Sequence, residues 1–161
     1  MNIALSRSFI FRGSLLIVIA AVGFALAQNP EKQADPLPPG SKQSIQPEEL
    51  AQVLKGTRKP VVFYVGPKSI YAQAHIPGAE NIGPVGRPEG LENLRARIAS
   101  LSKDSLVVIY CGCCPWDHCP NIRPAFAELK KAGFTNVRAL YLETSFGTDW
   151  KDKGFPVATG E

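Results

Sequence analysis

All four cysteines of the chain, Cys111, Cys113, Cys114 and Cys119, fall within nine consecutive positions. A thiolate is a nucleophile, a redox partner and a soft metal ligand, so the cluster admits several chemistries. Cys111 and Cys114 stand in C-x-x-C spacing, in which either thiol can resolve an intermediate on the other. Cys111, Cys114, Cys119 and His118 could instead hold Cu(I) or Zn(II). Structural zinc sites usually draw ligand pairs from two separated segments, and here all ligands share one loop, so metal ranks behind thiol chemistry. A structural reading pairs Cys119 with Cys113 or Cys114 as a staple across the loop. Haem attachment is excluded because Pro115, not histidine, follows Cys114. The Cys-x5-Arg arrangement of cysteine phosphatases is excluded too: the arginine position falls on Asp117, Cys119, Pro120 or Ala125.

The elements that must position these thiols are readable on either side. Leu106 to Tyr110 is an unbroken apolar run rich in β-branched residues, the pattern of a strand buried on both faces. After Pro120 the period changes, and Ile122, Phe126 and Leu129 mark one face of a helix. Asn121 is its expected N-cap, Pro124 fits the first turn, and Lys130, Lys131 and Gly133 form its C-terminal signature. The order is buried strand, cysteine loop, helix, and ligands of open α/β sheets bind beyond the carboxyl ends of strands. A thiol ahead of a helix N-terminus has its thiolate favoured. Cys111 is expected to hold that place, with Gly112 freeing the backbone to curl around it and Arg123 adding positive charge. Asp117 opposes this, and Pro115 and Pro120 each remove an N–H donor. Trp116 is expected either to cap the pocket or to shield the thiols.

Elsewhere the pattern alternates. A short helix is expected from Pro47 to Leu54, a strand over Val61–Val65, one or two helical turns over Ser69–Ala74 and a short strand from Glu80 to Ile82. A helix carrying Leu91, Leu94, Ile98 and Leu101 precedes the cysteine strand. A strand from Val137 to Leu142 and a last short helix from Phe146 to Lys153 follow. The fold class expected is α/β, a small parallel sheet flanked by helices.

The N-terminus reads differently. Arg7 and Arg12, an apolar run to Ala27 and the exit Ala25-Leu26-Ala27 are the marks of a secretory signal peptide over residues 1–27. The run is short for a membrane span, so no span is expected after cleavage; left uncleaved it would be an N-terminal anchor. A proline-rich tether over residues 28–43 and one domain over 44–158 complete the organisation. Export would place the chain in the periplasm or another extracytoplasmic compartment, where clustered thiols tend to oxidise. The net charge of +4 includes the two arginines of the leader. The mature charge is then small, and no nucleic-acid partner is expected.

Three stretches together resemble the rhodanese (sulfurtransferase) family. His75-Ile76-Pro77-Gly78-Ala79 is similar to the family's HIPGA turn, and Val107 to Cys111 to the strand that delivers its active cysteine. Gly133-Phe134 through Val137, then Trp150 and Gly154-Phe155-Pro156-Val157, resemble its closing segment. The resemblance implies a rhodanese-like domain and a sulfurtransferase in which Cys111 carries sulfane sulfur as a persulfide. Cys113, Cys114 and Cys119 would then be relay or resolving thiols. Gly112, Trp116, Asp117, His118 and Arg123 would line or tune the pocket, and His75 would hold its turn by hydrogen bonding to backbone. The partners implied are a small sulfur-containing donor and a thiol acceptor, small or borne by a protein, with no cofactor required. The chain departs from the family pattern in having Tyr64-Val65-Gly66 where Asp-x-Arg is usual, and a longer, cysteine-rich loop.

Overall fold

The computed structural model describes residues 37–160; residues 1–36, which hold the expected signal peptide and most of the expected tether, lie outside it. Three four-residue strands form the middle of the sheet: Val61–Tyr64 (β2), Val107–Tyr110 (β4) and Val137–Leu140 (β5). Two-residue strands, Ser44–Ile45 (β1) and Glu80–Asn81 (β3), complete a five-stranded sheet in the order β1-β5-β4-β2-β3. Every pairing is parallel, and β2 and β4 run in register with Tyr64 opposite Tyr110. The class expected from the pattern, α/β with a small parallel sheet, is the one observed.

Side chains alternate along each strand, so the sheet has two apolar faces. Phe63, Val107, Ile109 and Cys111 pack with Leu94 and Ile98 of helix α3 (Pro88–Ile98) and with Ile122, Phe126 and Leu129 of helix α4 (Ile122–Lys131). Val62, Tyr64, Val108 and Tyr110 pack on the opposite face. There they meet Leu50 and Ala51 of α1 (Pro47–Val53), Tyr71 of α2 (Lys68–Gln73), and Phe146 and Trp150. Trp150 lies in one π-helical turn, Gly147–Lys151, and its indole N–H donates to the Pro156 carbonyl at 2.8 Å.

The packed region is longer at both ends than residues 44–158. Leu37, inside the expected tether, is fully buried in the core, and the chain reaches β1 through turns closed by Ser41 and Ser44. A buried leucine anchors a segment whose proline content alone reads as flexible. Past the other end, the Gly160 N–H donates to the Ala72 carbonyl at 2.9 Å. Among the described residues no helix is long and apolar enough to cross a membrane.

Candidate active site

The sheet order sets the location. β2 leads sideways to β3 and β4 leads the other way to β5, so their carboxyl ends flank the crevice where such sheets bind ligands. The loop after β4 starts at Gly112, whose φ of +73° is a left-handed conformation that favours glycine. Its position is also crowded: a Cβ there would stand 2.6 Å from the Phe146 Cβ and 2.9 Å from the Leu142 Cδ1. Backbone bonds from Phe146 to the Gly112 carbonyl and from Trp116 to the Glu143 carbonyl tie the cysteine loop to the segment after β5. A single 3₁₀ turn, Trp116–His118, then delivers Cys119 to the start of α4.

The fold gathers the sulfurs. The Cys111 Sγ lies 3.2 Å from that of Cys113, and the Cys113 Sγ lies 3.6 Å from that of Cys114. Cys119 sits against both Cys111 and Cys114 as a hydrogen-bonding neighbour. All four are free thiols, with Cys111 and Cys119 buried, Cys114 half-buried and Cys113 exposed.

The placement ahead of the helix, expected for Cys111, belongs to Cys119. The Cys111 thiol, together with the backbone N–H groups of Asn121 and Ile122, holds the Cys119 thiol well below its ordinary value; burial acts in the other direction. Cys111 itself is pushed up, first by the adjacent Cys119 sulfur and then by burial. The two thiols titrate as a pair that holds one proton and one negative charge between them, with the helix N–H groups favouring the charge on the Cys119 side. Sequence spacing hides this because the loop doubles back: the second cysteine of the pair, not the one at the strand end, meets the free N–H groups of α4. Burial also pushes Cys114 up.

Asn121 occupies the N-cap position but makes no side-chain capping bond. Its amide instead accepts from the Gly86 N–H at 2.9 Å and donates to the Cys111 Sγ at 3.5 Å, linking the loop after β3 to the sulfur. Tyr64, which the sequence leaves open as either a pocket-lining residue opposite the loop or a core tyrosine, lies beside the sulfurs. Its side chain is buried, and its hydroxyl has no hydrogen-bond partner. A Cβ on Gly66 would stand 2.6 Å from that hydroxyl and 2.8 Å from the Cys111 Sγ, so the missing side chain lets both atoms close on one spot. Burial, and then the negative charge of the neighbouring cysteine cluster, push the phenol ionisation up, so the hydroxyl keeps its proton. An unpaired buried hydroxyl costs about 1–3 kcal/mol. The signal for it was the glycine two residues past a tyrosine at a strand end.

The remaining predicted residues divide. Trp116 is buried against Tyr141, with ring centroids 5.2 Å apart, and its indole N–H has no partner. Arg123 donates to the Trp116 carbonyl at 3.3 Å, and its guanidinium lies 5.9 Å from the centre of the indole ring. Asp117 and His118 are exposed on the 3₁₀ turn. The imidazole of His75 stacks on Tyr71 at 3.8 Å, and its Nδ1–H donates to the Tyr71 carbonyl at 2.9 Å. The His75 backbone exchanges two bonds with Ala158, which pins the turn to the C-terminal segment. Among the described residues no group of three or more His, Cys, Asp or Glu is arranged to hold a metal ion. The His118 carbonyl lies 3.8 Å from the Cys114 Sγ.

A cleft of about 440 Å³ opens over Cys113 and Cys114, lined also by Pro84, Arg87, His118 and Asn121. Cys113 and Cys114 line this opening, and the buried Cys111, its sulfur 3.2 Å from that of Cys113, does not. The arrangement can bring a sulfur compound to Cys113 or Cys114, move a sulfur atom between touching thiols and hold it in a buried place.

The sequence profile of the rhodanese-like domain family matches residues 46–143, a span that contains all four cysteines, and the chain belongs to that family. Its scaffold is therefore of the sulfurtransferase or a related type. Solved structures with the same fold include the Alr3790 protein from Anabaena sp., 24% identical with a TM-score of 0.55 over 72% of this chain and 92% of that one. The BH2092 protein from Bacillus halodurans is 22% identical with a TM-score of 0.57 over 73% and 77%. A rhodanese-like domain protein from Staphylococcus aureus is 20% identical, with a TM-score of 0.50 over 74% and 99%. At these identities the likeness is one of fold. No curated protein sequence matches the chain.

Proposed function

We propose that this chain is an exported sulfurtransferase that carries sulfane sulfur on Cys111 and passes it through its neighbouring thiols. The observation that carries this reading is the convergence of four free thiols at the carboxyl end of β4, with Cys113 and Cys111 sulfurs 3.2 Å apart. The exposed Cys113 sulfur at the cleft, its proton released to solvent, attacks the sulfane sulfur of the donor. The donor's S–S bond breaks, its leaving group departs with the electron pair, and a persulfide forms. The Cys111 sulfur, its proton passed to the Cys119 thiolate, attacks the outer sulfur of that persulfide. The sulfane atom is now on Cys111 and the first thiolate is regenerated, so no oxidant or reductant is needed. Delivery to an acceptor thiol repeats the step in the other direction. Arg87 at the cleft suits an anionic donor.

Native intact-mass spectrometry on the exported protein, before and after incubation with inorganic polysulfide, tests the proposal. The expected result is a metal-free protein that gains sulfur, with the stable gain abolished in Cys111→Ser. A fixed metal mass lost on cysteine substitution, with no sulfur uptake, would replace the reading by a metal-binding module on the same scaffold.

A further inference from the structure

Tyr64 presents a chemical question that folding does not answer. Its hydroxyl is buried and unpartnered at the end of β2, although a surface site or an apolar residue would avoid that penalty. Its ring is well fixed, with centroids 5.2 Å from Tyr110 and 5.5 Å from Tyr71, so the hydroxyl is aimed rather than free to swing. Tyr110 makes a contrast in the same layer, since its oxygen accepts from the Ile76 N–H at 3.0 Å. The Tyr64 hydroxyl and the Cys111 Sγ both crowd the point where a Gly66 side chain would begin.

A persulfide adds one atom to Cys111, at an S–S distance of about 2.0 Å. That extension gives the thiol the reach its own sulfur lacks. We infer that the Tyr64 hydroxyl is the donor that receives the outer, negatively charged sulfur of a Cys111 persulfide, beside Gly66, where any side chain would keep the two groups apart. The inference rests on the sulfur-carrier reading and deepens it by assigning the group that holds the cargo. The orphaned hydroxyl is then unsatisfied only in the unloaded protein, and loading completes its hydrogen bonding. Asn121, at 3.5 Å from the inner sulfur, holds the other end.

The test uses the exported protein, its Tyr64→Phe variant and Cys111→Ser. Each is loaded with inorganic polysulfide and titrated with sulfite, which takes the outer sulfur as thiosulfate and returns the cysteine thiolate. Intact mass gives the loaded fraction at each sulfite-to-thiosulfate ratio. A hydrogen bond to a charged acceptor is worth enough to move that equilibrium on the order of tenfold. Tyr64→Phe is therefore expected to lose its sulfur at a roughly tenfold lower sulfite ratio. Its melting temperature should be equal to or above that of the wild type, because a buried unpaired hydroxyl has been removed. Loading the wild type should also shift its tyrosine absorbance, and loading Tyr64→Phe should not. Wild type and Tyr64→Phe with the same sulfite midpoint, and the same absorbance change on loading, would overturn the assignment and leave the carrier standing. A wild type that gains no sulfur would remove the carrier reading itself, and the role of Tyr64 with it.

Discussion

At Cys119 the Cys111 thiol and two backbone N–H groups favour the thiolate, while the neighbouring Cys119 sulfur and burial keep Cys111 protonated. These opposite shifts have a signature in stability. Between the lowered Cys119 value and about 8.5, the ordinary thiol value, the unfolded chain holds a proton that the folded one lacks, so stability rises with pH. Above about 8.5 the unfolded chain has released the Cys111 proton that the folded one retains, and stability falls. The melting-temperature difference between the wild type and a Cys111→Ser, Cys119→Ser double variant should therefore pass through a maximum near about pH 8.5. A difference that climbs or falls steadily from pH 6 to 10 would contradict the shared-proton arrangement. The clustering of the four thiols was legible as letters in the sequence. Which of them meets the helix was not, because it depends on how the loop from Cys111 to Cys119 doubles back, and that path is set by ties to Glu143 and Phe146 far along the chain.

The elements read well where one local cause dominates. β4 follows from a run of buried β-branched residues, and α4 from its apolar face and its glycine end, where Gly133 takes a φ of +89°. The segment after β5 is different. Its helix was expected over Phe146 to Lys153, and it forms as one π turn that swings Trp150 into the core. That turn holds the floor of the cysteine loop, since Phe146 donates to the Gly112 carbonyl and packs against Gly112. Trp150→Ala should cost about 3–5 kcal/mol in urea unfolding, as a fully buried tryptophan with a satisfied indole is lost. The same variant should make Cys111 react faster with an alkylating reagent under native conditions. Destabilisation without any change in native alkylation would mean that the turn supports the core and not the loop.

On the scale of the molecule, five parallel strands in the order β1-β5-β4-β2-β3 were expected only as a class; the order itself rests on pairings between residues far apart, such as Ser44 with Ala139. Leu37 shows the same limit, since its proline-rich surroundings read as tether while its burial depends on a distant core. The order puts β4 inside the sheet, flanked by β2 and β5, with the edges left to the two-residue strands β1 and β3. Amides held on both sides by neighbouring strands exchange with solvent deuterium only when the whole domain opens, whereas edges fray independently. The amides of Val107 to Tyr110 should then be the slowest in native-state hydrogen exchange, and those of β1 and β3 faster by orders of magnitude. Comparable rates across the sheet would contradict this. Cys111 is buried directly beyond the end of that slowest strand, while Cys113 is exposed further along the loop. An oxidant dissolved in bulk water meets the outer thiols long before it meets Cys111.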